Sequence, residues 1–369
     1  MRIRAAVLHR TAEDIRVERL MLKPPQAGEV LVRMEAAGVC GSDWQVCTGA
    51  TPHVLPAALG HEGAGTVETV GPRCTMFAPG ERVILNWAPA CEVCWYCGQG
   101  RPNLCSGTKD YVWKGLMPDG TPRMYGPNGP VYQYCGLGCF ADYVVVPESA
   151  CVQLHPEVPM MIGALLGCCV TTGVGAAVRT ARVKAGSSVA VVGAGGVGLS
   201  IILGAGFAGA DPIIAVDTVT DRAGLARRLG ARHFVAASDQ MPNAIRSLTE
   251  GRGADYVFDA TGLPAVQEQC LEAARPGGKV ILVGLAPVGS RTNLPGSVIT
   301  REEKTVTGSY YGSANPREDF DYYARCYLAG KLNLDALITR TYSLEAIRDA
   351  YRDLLAGELA RGIIVFDLG

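Results

Sequence analysis

The sequence has no excess charge of either sign: 34 Lys and Arg stand against 35 Asp and Glu, a formal net charge of −1. Lysine is scarce, 7 residues against 27 arginines, and the basic residues are scattered rather than clustered. A nucleic acid or an anionic membrane surface would find no basic field to recognise. No long apolar run is free of helix breakers either. Residues 189–210 come nearest to a membrane span, but they contain seven glycines and are followed by Asp211-Pro212. They read instead as strand, turn and helix. The N-terminal MRIRAAVLHR lacks an apolar stretch followed by a small-residue cleavage site, which predicts no signal peptide and a cytoplasmic location. Internal repeats are absent. With 48% hydrophobic and 19% charged residues, wholesale disorder is excluded, and 369 residues suggest about two domains.

What the chain holds in quantity is glycine (46) and cysteine (14). In a reducing cytosol, closely spaced cysteines point to metal binding or catalysis rather than disulfides. Residues 1–85 carry short β-branched or alternating runs such as EVLVRMEAAGVC and GAGTVETVG, broken by Gly and Pro, which predict small antiparallel strands. From Cys91 to Gly138 the composition turns to Cys, Gly, Pro and Tyr with little periodicity. Such a stretch cannot bury an ordinary core and needs a staple. Strand character returns at 140–146.

Between Val170 and Gly312 the pattern changes. Buried-type strands (SSVAVVGAG, PIIAVD, ADYVFDATG, GKVILVGLA) alternate with Ala/Leu/Arg-rich helical segments, which implies a doubly wound parallel sheet of the α/β class. The C-terminal stretch holds two helical patterns and a terminal strand, RGIIVFDL, that break this alternation and are expected to rejoin the N-terminal domain. The expected domains are therefore 1–169 together with 313–369, and 170–312.

In the second domain, Gly193-Ala194-Gly195-Gly196-Val197-Gly198 closes an apolar strand and opens an apolar helix. Gly193 suits a tight turn, Gly195 lets the backbone approach a pyrophosphate, and Gly198 lets helix and strand pack closely. Gly196 and Val197 begin the helix whose unpaired N–H groups would face the anion. The next strand ends at Asp217, 19 residues beyond Gly198, where a carboxylate can accept the hydroxyls of an adenosine ribose and repel a 2′-phosphate. This favours NAD over NADP. Arg222, the nearest cation, either flanks the ribose or faces solvent.

Cys91-x2-Cys94-x2-Cys97-x7-Cys105 places four thiols within 15 residues, the set for a closed, structural zinc in a lobe spanning residues 90–106. A second group is sparser: Cys40 in GVCGSD, His61-Glu62 in LGHEGAG, and Cys168-Cys169 in LLGCCVTTG. Taken singly, each is as well explained by ordinary core packing. Together, Cys, His and Cys with one open position match a catalytic zinc that oxidises alcohols. Spacing alone leaves their convergence open.

With these motifs in order, the chain resembles the zinc-dependent alcohol dehydrogenases of the medium-chain dehydrogenase/reductase superfamily. GVCGSD, GHEGAGTVETVG, the 2-2-7 cysteine lobe, KGLMPDGT, GCxxTTGxGA, VGAGGVG with Asp217, DATG and ARGIIVF carry the resemblance across residues 5–366. It implies a GroES-like catalytic domain joined to a Rossmann domain, two zinc ions per chain and NAD. It also implies catalytic zinc ligands Cys40, His61 and Cys168, with Cys168 preferred over Cys169. Glu62 matches an acid near the zinc, Asp43 a carboxylate that orients the ligating His, and Ser42 the hydroxyl that bonds the substrate oxygen. Arg361 matches a pyrophosphate-binding arginine. By position, the pocket would be lined by Thr51, Trp87, Asp110, Tyr134, Leu285 and Tyr310, whose three aromatics suit a flat or medium-sized hydrophobic alcohol.

The departures matter as much. Gly41 stands where many relatives place a cation against the pyrophosphate. Gln45 stands where many have the histidine that ends a proton relay, and Gln cannot be protonated near neutral pH. The segment from Cys105 to Phe140 is as long as in the dimeric class I/III branch, so a homodimer is expected. Acidic residues used for a glutathione–formaldehyde adduct are missing near Gly49-Ala50-Thr51. Alternatives to alcohol oxidation are a thiol-dependent formaldehyde dehydrogenase using another adduct, and a non-catalytic NAD-binding protein.

Overall fold

Glu29–Val39 is an unbroken β-branched and Ala-rich run, so it forms a strand buried on nearly every residue and central to its sheet. The computed structural model describes residues 1–367. Among these, the chain divides into two compact units: 1–168 with 315–329 and 338–367, and 169–314 with 330–337.

In the first unit, the strands Arg2–Leu8, Arg16–Leu22, Met124–Gly126, Gly129–Gln133 and Ala57–Ala58 close into a small barrel. Beside it runs a sheet in the order Cys151–Gln153, Arg82–Leu85, Gly63–Val70, Glu29–Val39, Arg361–Val365 and Ile338–Tyr342, with Tyr143–Pro147 also paired to Glu29–Val39. The terminal strand thus lies antiparallel to Glu29–Val39, Gly362 opposite Val39, as the break in β/α alternation suggested. The core-poor stretch after Cys105 has a second staple that the sequence did not disclose. Arg123 is fully buried, its Nε donates to Glu29 Oε2 at 2.8 Å and its Nη2 to Asp119 Oδ2 at 2.7 Å. A buried arginine is tolerable only when its donors are matched in this way.

The second unit is a six-stranded parallel sheet in the order His233–Ala236, Ile213–Asp217, Val189–Val192, Ala254–Asp259, Ala274–Leu282, Thr305–Gly308. This is the doubly wound order, whose first strand, Val189–Val192, lies beside the point where direction of winding reverses. Its core is aliphatic: Ala190, Val192, Ile214, Val216, Ile245, Val257, Leu271 and Val280 are all buried. The run once comparable to a membrane span is the strand Val189–Val192 followed by the helix Gly196–Phe207. Among the described residues, no single helix is long and apolar enough to cross a membrane. One difference from the expected domains is physical: 330–337 groups with the second unit, where Leu332, Leu334 and Leu337 are buried.

Candidate zinc and dinucleotide sites

Cys40 ends the long strand and caps the helix Gly41–Thr48 with extended backbone, so the strand delivers its thiol and the helix then carries Ser42 and Asp43. His61 and Glu62 precede the strand Gly63–Val70, which pairs with the same end of Glu29–Val39: Ala37 lies opposite Gly63. Register therefore brings GVC and GHE together. One ligand atom each from Cys40, His61 and Glu62 lie within 4.8 Å of one another, and all three residues are buried. Cys168 joins them by hydrogen-bonding the Cys40 thiol.

Behind this cluster, Asp43 is fully buried; His61 Nδ1 lies 3.0 Å from its Oδ2 as an ion-pair contact, and Gly60 N–H donates to its Oδ1 at 2.8 Å. A carboxylate at this distance favours a proton on Nδ1, and the imidazole also hydrogen-bonds Cys40. The Cys168 hydrogen bond holds the Cys40 thiol well below its ordinary value despite burial, assisted by His61 and Arg361. Burial disfavours a charged His61, but Asp43 and Cys40 outweigh it and hold the imidazole well above its ordinary value. Burial pushes Glu62 up to about 7 against the pull of Arg361. Arg361, read as a pyrophosphate ligand, has its Nη2 paired with Glu62 inside the first unit. Ser42 Oγ lies 3.7 Å from Cys40 Sγ, and Tyr134 donates its hydroxyl to the Ser42 carbonyl at 3.4 Å.

Rings surround the cluster. Trp113 contacts Trp87 (centroids 6.3 Å apart), Trp87 contacts His61 (6.5 Å), His61 meets Tyr134 edge-on (5.5 Å), and Tyr134 meets His53 edge-on (5.3 Å). Trp113 and His53 were not legible as site residues, since a lone Trp in DYVWKG and a lone His in TPHV carry no spacing signal. Thr51 Oγ1 donates to Gln45 Oε1 at 3.0 Å, so two positions singled out separately are one unit. Asp110 is exposed at the start of the short helix Lys109–Val112. Leu285, 48% exposed, and Tyr310 belong to the second unit.

In the lobe, the sulfurs of Cys91, Cys94, Cys97 and Cys105 lie mutually within 4.8 Å, with Cys94 at 3.5 Å from Cys97 and 3.9 Å from Cys105. Tetrahedral zinc with bonds of about 2.3 Å separates its sulfurs by about 3.8 Å, so the lobe fits the ion. Backbone N–H groups of Cys91 and Cys94 donate to the sulfurs of Cys105 and Cys91, as thiolates require. The backbone at Cys97 and Ser106 holds the Cys94 thiol down to about 5. None of the fourteen cysteines is in a disulfide.

The second unit builds its turn as the glycines dictate. Gly193 has φ +97°, the left-handed region; a Cβ at Gly195 would meet nothing within 4 Å; one at Gly198 would overlap the Gly193 carbonyl. The helix starts at Gly196 with Val197 in its first turn. Asp217 Oδ2 accepts from Ala194 N–H at 2.6 Å and pairs with Arg222 at 3.0 Å, while Oδ1 accepts from Val219 N–H at 2.8 Å. The carboxylate is thereby aimed across the mouth of the glycine turn, and Arg222 lies on it rather than in solvent.

Comparison with known proteins agrees with this architecture. Residues 26–157 match the alcohol dehydrogenase GroES-like domain and residues 196–328 the zinc-binding dehydrogenase domain. Alcohol dehydrogenase class-3 of Cereibacter sphaeroides is 38% identical over 99% of this chain and all of its own length. S-(hydroxymethyl)glutathione dehydrogenase of Paracoccus denitrificans is 37% identical over 99% and 100%. The crystal structure of benzyl alcohol dehydrogenase from Acinetobacter calcoaceticus superposes with a TM-score of 0.93 at 32% identity, covering both chains completely. With relatives of this identity along its whole length, both domain matches and a fitting metal cluster in the first unit, the chain belongs to the zinc-dependent alcohol dehydrogenases of the medium-chain dehydrogenase/reductase superfamily.

Proposed function

We propose that the protein oxidises an alcohol reversibly to an aldehyde or ketone, with hydride transfer to NAD. The observation that carries this is the cluster in which Cys168 and His61 both hydrogen-bond Cys40 while Asp43 fixes the imidazole. Cys40, His61 and Cys168 would hold the catalytic ion, and Cys91, Cys94, Cys97 and Cys105 the structural one. When bound, zinc supplies Lewis acidity toward the alcohol hydroxyl and NAD supplies the hydride acceptor. The remaining work falls to the chain. Asp43 holds the tautomer of His61, and Ser42 Oγ takes up the proton that leaves the substrate hydroxyl. Glu62 keeps a carboxylate beside the ligands, restrained by Arg361. Gly193, Gly195, Gly196, Val197 and Gly198 would cradle the pyrophosphate. Asp217 and Arg222 would hold the adenosine ribose, and the engaged carboxylate supports NAD over NADP.

The substrate class we favour is an aromatic or medium-sized hydrophobic primary alcohol, since Trp87, Trp113, Tyr134 and His53 give the cluster an aromatic surround. The likeness to a benzyl alcohol dehydrogenase supports this class. Thr51 and Asp110 are the further pocket residues proposed in the first unit. A homodimer is supported by the second unit, where, among the described residues, Thr305–Gly308 is the edge strand of the sheet and Leu285 and Val288 are 48% and 74% exposed. Fourteen cysteines outside any disulfide support a reducing, cytoplasmic location.

Metal analysis of purified protein tests the reading: two zinc ions per chain and NAD reduction by benzyl alcohol are expected, with activity lost on removal of the weaker ion. A single zinc, or no alcohol turnover, overturns it. The name of the Paracoccus relative supports a second reading, oxidation of a thiol–formaldehyde adduct. Formaldehyde with and without candidate thiols separates the two.

A further inference from the structure

We infer that Tyr351 is a positioning residue: its ring, held between Trp44 and Phe140, keeps Ser42 and Asp43 in register with His61, a role that rests on the proposed reaction only for its kinetic readout. Tyr351 lies on the helix Ile347–Leu355, far downstream of both partners, and is 2% exposed. Its ring stacks on Trp44, with centroids 5.6 Å apart and planes 29° from parallel. It meets Phe140 edge-on, with centroids 6.4 Å apart. Each partner leads along the main chain to one half of the ligand cluster. Trp44 follows Asp43 directly in the helix Gly41–Thr48, which also carries Ser42. Phe140 N–H donates to Leu59 O at 2.9 Å, and Cys139 N–H donates to Gly60 O at 2.8 Å, so Phe140 is tied to the segment that delivers His61.

Gly60 closes the circuit. Its φ is +93°, and a Cβ there would overlap Phe140 N at 2.6 Å, so the two segments are in direct contact. Its N–H donates to Asp43 Oδ1 at 2.8 Å. Contacts thus run from Asp43 through Trp44, Tyr351, Phe140 and Gly60 back to Asp43. The Gly60 hydrogen bond fixes one point of the Ser42–Asp43 helix, and the Trp44 stack fixes a second, so the helix cannot turn about the first. Closely packed interior rings transmit such a constraint because they have no slack to absorb it. What is held this way is the carboxylate 3.0 Å from His61 Nδ1. The phenol oxygen adds little: it is buried, and no described residue hydrogen-bonds it. The ring carries the role, and the hydroxyl is dispensable.

The test compares zinc-loaded wild type, Tyr351→Leu and Tyr351→Phe with Phe320→Leu, which removes a fully buried ring elsewhere in the first unit. Two quantities are read: kcat and KM for benzyl alcohol, and the rate at which a chelator strips the first zinc. Groups that orient a metal-ligating histidine are worth about 10- to 100-fold in metal affinity or activity. Tyr351→Leu should therefore lower kcat by about 10-fold or more with a smaller change in KM, and speed zinc loss by about 10-fold or more. Tyr351→Phe should restore most of both. Phe320→Leu should lose thermal stability while keeping kcat and zinc retention. If Tyr351→Leu does not fold, Trp44→Leu, on the half-buried side of the stack, carries the comparison, with Trp44→Phe as its rescue. Values of kcat and zinc loss in Tyr351→Leu that match Phe320→Leu overturn the role and make Tyr351 ordinary core. Failure of Tyr351→Phe to restore them overturns it too, because the ring would then not be the acting group. If the wild type oxidises no benzyl alcohol, the aromatic-alcohol reading falls, and zinc release alone decides Tyr351.

Discussion

Glu62 and Arg361 lie 299 residues apart in sequence and meet as an ion pair in which both side chains are buried, 0% and 3% exposed. The pair exists because the terminal strand pairs antiparallel with one edge of Glu29–Val39 while the strand that Glu62 introduces pairs with the other. Gly38, on the central strand, leaves the necessary space: a Cβ there would overlap the Glu62 carboxylate and come within 3.0 Å of Arg361 Nη2. Three sequence segments are thus fixed by one charge pair directly behind the ligand cluster.

Breaking this pair should be worse than crowding it. Arg361→Met leaves a buried carboxylate without its cation, and removal of one partner from such a pair costs about 3–5 kcal/mol. Gly38→Ala inserts a methyl group into packed space, for which about 1–3 kcal/mol is typical. Denaturant unfolding of both variants checks the order. Equal stability of Arg361→Met and wild type would mean that the pair contributes nothing to the fold.

The lobe makes a second, separable prediction. Cys97→Ser should remove one zinc per chain, lower thermal stability and reduce yield, because metal-binding energy in such a lobe is folding energy. The remaining folded protein should keep turnover per catalytic zinc, since the four lobe sulfurs form a cluster of their own. Zinc content by mass and melting temperature are the measurements. Unchanged values for both would refute the structural role.

How much of this is legible without coordinates depends on whether a constraint is local. The four lobe cysteines lie within 15 residues, so spacing alone announces them. The turn at Gly193, Gly195 and Gly198 is equally local; Gly193 has a positive φ, and a Cβ at Gly198 would overlap the Gly193 carbonyl. Convergence of Cys40, His61 and Cys168 is not local. It follows from strand register, which no single segment encodes, and only resemblance to a family made it an expectation. Arg123 is the opposite case: an arginine in a Gly/Pro-rich stretch reads as solvated, yet it is fully buried on Glu29, 94 residues away. The partner that decides its environment lies outside any sequence window. His53 escaped for the same reason, because its significance comes from the ring of Tyr134.

Cofactor choice follows from Asp217 and Arg222 together. Asp217→Ala should remove the acceptor for the ribose hydroxyls and the repulsion of a 2′-phosphate in one step. It would also leave the Arg222 guanidinium, which pairs with that carboxylate at 3.0 Å, beside the same position. The ratio of kcat/KM for NAD over NADP should fall by about 10-fold or more, with NADP use gained as well as NAD use lost. In Asp217→Ala/Arg222→Ala the gain of NADP should disappear. A ratio that does not move would place both residues away from the ribose.

The last prediction concerns proton removal. Gln45 cannot titrate near neutral pH, and its Oε1 is engaged by the Thr51 hydroxyl at 3.0 Å, so the Gln45–Thr51 unit can order a path but not receive a proton. If Ser42 hands its proton toward this unit, Gln45→His supplies a base where none stands, and alcohol oxidation near neutral pH should accelerate in the step coupled to proton release. The pH–rate profile should gain an ionisation near 6.5, moved by its surroundings. Thr51→Val separates two effects of the substitution. It removes the hydroxyl that engages Gln45 without adding a base, so it should reproduce any loss due to a disturbed path and none of the gain. Product release often sets kcat in enzymes that close over a cofactor, so single-turnover hydride transfer has to be measured alongside steady state. A single-turnover pH profile identical in wild type and Gln45→His would put position 45 off the proton path, whatever the steady-state rates did.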